Sequence, residues 1–167
     1  MYILSILGVI LSVILMGCAG ENGLAGIPLS LGHVGDIVNI LLVLIVTIPI
    51  LASSGLHKDF NNAFKLTLGK KEAENLLELK RAKEAIILVT RTVILSGVFF
   101  WAFSTIIISY DLFDSTDTIE KFSDMVRTFF INEAVCILSI FYAMVVSLLL
   151  LPIRSRLEIK MAEFMQE

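Results

Sequence analysis

The sequence predicts an all-α integral membrane protein with four transmembrane helices in two hairpins, and three observations predict it. Four long apolar runs, at about residues 2–18, 34–54, 85–110 and 130–153, make up more than half of the 167 residues. Only 17% of residues are charged, and nearly all of these lie outside the runs, in line with 57% hydrophobic content and a mean hydropathy of +0.89. The Lys and Arg residues are confined to alternate connections. About 20 apolar residues cross the hydrocarbon layer of a bilayer, so each run is a candidate span, the first only just long enough.

The first run, Tyr2–Cys18, leads into a Gly- and Pro-rich stretch (Gly20, Gly23, Gly26, Pro28) that reads as a loop. Leu15-Met16-Gly17-Cys18 looks like a lipoprotein cleavage site, yet Met1–Ser5 lacks the positive charge of a secretory signal. An uncleaved first helix is the expectation, and lipidation of Cys18 stays open. The second span starts near Gly35-Asp36 and runs to Ser53-Ser54-Gly55, with Pro49 inside it as a source of a kink. The connection 55–84 is helical: from Lys70 to Lys83 it is rich in the strong helix formers Glu, Lys, Leu and Ala. Nothing interrupts that pattern before Ala85, so a single third helix from about 71 to 110 is predicted, reaching well beyond the bilayer. The alternative is a separate surface helix with a bend near Glu84. The fourth span ends at Leu151-Pro152 and gives way to a charged tail, 154–167. With four spans in a chain of this length, a single domain is expected.

The basic residues set orientation. Seven Lys and Arg lie between Lys58 and Lys83, and Arg154, Arg156 and Lys160 follow the last span, whereas Ala19–His33 has none. The connection Asp111–Phe129 has two, Lys121 and Arg127, against five acids. The positive-inside rule then places both termini and the 55–84 connection in the cytoplasm. A formal net charge of −3 gives no reason to expect a nucleic-acid partner. His33 and His57 fall on opposite sides of the membrane, and no Cys/His cluster has metal-ligand spacing. No catalytic constellation, metal site or cofactor site is predicted, and the chain does not read as an enzyme.

Function must then lie in the polar groups of the spans, since burying them in lipid is costly. Arg91 sits about 9 Å inside the third span, where it either snorkels to the headgroups or faces a polar interior. Asn132 and Glu133 open the fourth span and Asp36 the second. These acids could meet at the mouth of a pathway, or serve only as solvated first-turn residues that complement helix dipoles. Ser96, Ser104 and Thr105 on the third span, with Ser139 and Ser147 on the fourth, either line a hydrated path or pack helices.

The segment Ser139–Ile153, ending Leu148-Leu149-Leu150-Leu151-Pro152-Ile153 and followed by Arg156-Leu157, resembles the helix-4 pattern of the MotA/TolQ/ExbB proton-channel family. The order of parts is also similar to its MotA-like branch: a short first hairpin, a cytoplasmic helical connection, an elongated third helix and a charged tail. The resemblance implies a homo-oligomer, a pentamer, in the bacterial inner membrane around a single-span MotB/TolR/ExbD-like partner that carries a protonatable Asp. It implies that Ser139 takes the place of the family's helix-4 Thr, and that the small helix-3 residue falls between Ala102 and Thr105. The 30-residue connection is much shorter than in flagellar stators, which points to another envelope process. The rival expectation is a non-conducting four-helix membrane scaffold or interaction protein whose hydroxyls only pack helices.

Overall fold

The computed structural model describes residues 6–12, 37–69, 72–114 and 119–166. It is all-α, with 92% of the described residues helical. Residues 6–12 are helical, and four longer helices follow: α1 (Ile37–Ser53), α2 (His57–Leu68), α3 (Leu76–Asp114) and α4 (Ile119–Phe164). Both α3 and α4 are long and apolar enough to cross a membrane. The bent pair α1 and α2 would count as a third such span only if taken together across its 99° break. Two membrane-length helices are therefore present among the described residues, against the four predicted. The first run is described only over 6–12, and Cys18, His33 and Asp36 lie outside the described residues.

Local chemistry explains the breaks. Gly55 takes φ +71°, a left-handed conformation that costs glycine little, and its N–H donates to the Ala52 carbonyl at 3.1 Å. That cap ends α1 and turns the chain into α2. The connection 55–84 is thus not one helix: α2 stops at Leu68, and α3 begins at Leu76 rather than near 71. A capping box sets that start. The Glu78 N–H donates to Asn75 Oδ1 at 2.8 Å, and the Glu78 carboxylate accepts from the Glu74 N–H at 2.9 Å. From there α3 runs through Glu84 without a break for 39 residues.

At the other end of the hairpin the predicted outer connection is largely helix. α3 continues to Asp114 and α4 starts at Ile119, eleven positions before the apolar run begins at 130. Hydrophobicity marks where a helix becomes apolar, not where it begins. Pro152 likewise fails to end α4, which continues through the charged tail for a total of 46 residues. Pro49 also stays within α1.

α3 and α4 pack antiparallel along most of their length, and their buried positions recur at alternating steps of three and four. On α3 these are Leu79, Ala82, Ile86, Val89, Val93 and Ser96; on α4 they are Cys136, Ser139, Ala143, Leu150, Ile153 and Leu157, with the partly buried Val146 between Ala143 and Leu150. This is the spacing of a coiled-coil seam. Its composition changes along the axis. At the charged end, bulky Leu79, Leu157 and Ile153 are 0–1% exposed and join Leu66 of α2. Burying each contributes roughly 1.5–3 kcal/mol where water is the alternative. Farther along, the seam narrows to Ser96, Gly97, Ser139 and Ala143, the small residues that allow close backbone approach when lipid removes the hydrophobic drive.

α2 lies across the charged end of this pair. Its Phe60, Ala63, Phe64 and Leu66 face the core, with Phe60 and Phe64 in edge contact at 5.2 Å. Polar links hold it there: Arg81 to Asp59 at 3.1 Å and Asn62 Nδ2 to Glu78 Oε1 at 2.6 Å. The tail of α4 holds the other end of α2. Lys160 donates to the Leu66 carbonyl at 2.6 Å and Arg156 to the Thr67 carbonyl. These are last-turn carbonyls that the helix cannot satisfy itself.

Candidate functional site

The α3–α4 pair brings polar side chains together at two levels. The outer one is built on Glu133 of α4. The Trp101 indole Nε1–H donates to its Oε1 at 2.7 Å, and the Thr105 hydroxyl lies 2.9 Å from Oε2 and 3.1 Å from Oε1. All three side chains are half-buried. Trp101 and Thr105 are one helical turn apart on α3, so both face the carboxylate from the same side. Along α3 they stand about 15 and 9 Å before Asp111, at 1.5 Å per residue. One turn farther along α4, the buried Cys136 lies beside Ser104 of α3.

The second level is centred on Ser139, which is 1% exposed. Its hydroxyl is 2.9 Å from the Gly97 carbonyl across the seam and 2.9 Å from the Cys136 carbonyl on its own helix. A hydroxyl has one proton, so the two carbonyls share it. Ser96 and Ser147 bond back to the carbonyls of Thr92 and Ala143 one turn earlier, the usual habit of helical serines.

The predicted site residues therefore separate into groups. Thr105 and Glu133 meet, which the sequence reading did not expect, because it set Glu133 beside Asp36 at a mouth. Ser104 faces Cys136, while Ser139 is enclosed within the chain's own helix pair. Ala102 and Asn132 are exposed, on the outward sides of α3 and α4. Arg91 is also exposed, on the α3 face that carries Leu95 and Phe99. By helix rise Arg91 is about 15–21 Å from the level of Trp101 and Thr105 and is no partner for Glu133. Trp101 was missed. Its signal was present, since an indole four residues before a threonine on an apolar helix is a polar pair on one face.

The chemistry available is narrow. A carboxylate with two neutral donors can hold charge or a proton in an apolar setting. Among the described residues no group of three or more His, Cys, Asp or Glu could hold a metal ion, and no buried side-chain nitrogen or oxygen lacks a partner. The fold and site define an α-helical protein with two membrane-length apolar helices and a carboxylate at their interface. Comparison with protein-family models, with curated proteins and with solved structures returned no match.

Proposed function

We propose that the chain is an integral membrane protein acting as the MotA-like subunit of an ion-driven, proton-powered complex in the bacterial inner membrane. Copies assemble, as a pentamer, around a single-span partner of the MotB/TolR/ExbD kind that carries the ion-binding Asp. The observation that carries this reading is the length of the two main helices. At 1.5 Å per residue α3 and α4 are about 58 and 69 Å long, roughly twice the ~30 Å of hydrocarbon. Their surplus at one end is charged and covered by α2, which supports an elongated cytoplasmic extension. The absence of Asp and Glu between 85 and 110 and between 134 and 153 supports a partner that supplies the central carboxylate.

Of the two expected path hydroxyls, Ser139 and Thr105, the contact of Thr105 with the Glu133 carboxylate supports Thr105 as the one that serves an ion path. The Ser139 bond to Gly97 favours the second reading, a non-conducting scaffold in which hydroxyls join helices. Co-expression with a single-span partner, native mass spectrometry of the purified complex and proton flux in vesicles decide between them. Thr105→Val should abolish most of the flux. Ser139→Ala should keep it while lowering stability by about 0.6 kcal/mol, the usual value of an interhelical bond in lipid. A purified monomer or dimer without a co-purifying single-span protein would sink the pentamer.

A further inference from the structure

We propose that Glu133 is a proton-binding site belonging to this chain, with Thr105 as the hydroxyl that accommodates both protonation states and Trp101 as a fixed donor. The inference rests on the bilayer placement proposed above and is independent of any partner subunit. It adds a titrating group to a reading in which the protonatable acid comes from elsewhere.

The donor and acceptor inventory of the site argues for it. An ionised carboxylate only accepts, and here it receives the Trp101 N–H at 2.7 Å and the Thr105 O–H at 2.9 Å. An indole can only donate, so Trp101 remains on Oε1 in either state. A threonine hydroxyl both donates and accepts. When a proton arrives on Oε2, the new O–H donates to Thr105 Oγ, whose own hydrogen turns to the Trp101 carbonyl one turn earlier, the normal bond of a helical threonine. The reverse movement releases the proton. Neither state leaves a donor or acceptor unpaired in the apolar layer, where an unpaired group would be costly. A lysine or arginine in place of the two neutral donors would hold the site in its charged form; among the described residues neither bonds to Glu133.

Among the described residues, few titratable groups lie near Glu133. On α4 the nearest titratable neighbour among the described residues is Cys136, one turn away and 8% exposed. The α3 residues that face the pair, Trp101, Ser104 and Thr105, carry no charge. α1 approaches this end of α4 with Asn39, whose amide donates to the Val135 carbonyl at 3.3 Å and is neutral.

The sequence supplies the reporter, because Trp101 is the only tryptophan. The full chain is placed in lipid nanodiscs without a partner, and tryptophan emission is followed with pH alongside far-ultraviolet circular dichroism. A single pH transition in emission at constant helicity is expected, absent in Glu133→Gln and shifted in midpoint in Thr105→Val. A pH-silent Trp101, or a transition that persists in Glu133→Gln, overturns the assignment. If the Gln variant does not fold, Thr105→Val decides, and an unmoved midpoint there is equally fatal. Failure of the helical protein to insert into the disc would instead refute the bilayer placement.

Discussion

Gly97→Ala tests the seam at its closest point. A Cβ at position 97 would lie 2.7 Å from the Ala143 Cβ and 2.8 Å from the Ser139 carbonyl oxygen. Carbon atoms settle about 3.5–4.0 Å apart, so α3 and α4 must separate locally by about 1 Å. Neither obstruction is the end of a flexible side chain: one is a methyl on the backbone, the other the backbone itself. Such overpacking costs about 1–3 kcal/mol. The same displacement stretches the 2.9 Å bond from Ser139 to the Gly97 carbonyl out of range, removing about 0.6 kcal/mol more. Alanine's better helix propensity offsets up to about 1 kcal/mol. With that full offset the net loss is about 0.6–2.6 kcal/mol, read by reversible denaturant unfolding of the purified protein in mixed micelles. Adding Ala143→Gly removes the nearer obstruction and should recover only part of the loss, because the Ser139 carbonyl remains. A Gly97→Ala protein as stable as the parent would refute the close crossing and the packing role assigned to Ser139.

Two further perturbations address the charged end. Replacing Arg156 and Lys160 with Met keeps their stems but uncovers the last carbonyls of α2; each loss should cost about 1–2 kcal/mol, with amide exchange accelerated across 57–68. Unchanged exchange there would show that the tail does not hold α2. Asn75→Ala removes the cap of α3 and should cost about 1 kcal/mol, with faster exchange confined to the first turn from Leu76.

Some of this was open to reading in the sequence, for stated physical reasons. The apolar runs at 85–110 and 130–153 identify two membrane-length helices because lipid tolerates little else in a spanning segment. The helix formers of Lys70–Lys83 point correctly to a third helix that continues beyond its apolar part. Other features were visible but passed over: Asn75-Leu76-Leu77-Glu78 is a capping box just before an apolar run, and it marks the true start of α3. Helix ends elsewhere were misplaced because hydropathy was used to set them. Asp111–Asp114 and Ile119–Phe129 are helical although they lie outside the apolar runs, and Pro152 sits in a helix held on both sides by packing at Leu150, Ile153 and Leu157.

By itself, then, the sequence determined that this is a helical chain with membrane-length apolar segments, that nearly all its charge lies outside those segments, and that Thr105, Ser139 and Glu133 are among the polar groups to account for. Only the tertiary structure decided what each of them meets. Periodicity fixes which face of one helix a residue occupies, but the register of α3 against α4 depends on packing between residues far apart in the chain, 28 to 42 positions for these polar pairs. That register sends the Ser139 hydroxyl to the Gly97 carbonyl and the Glu133 carboxylate to Trp101 and Thr105. A shift of one turn, about 5.4 Å, would have separated both pairs.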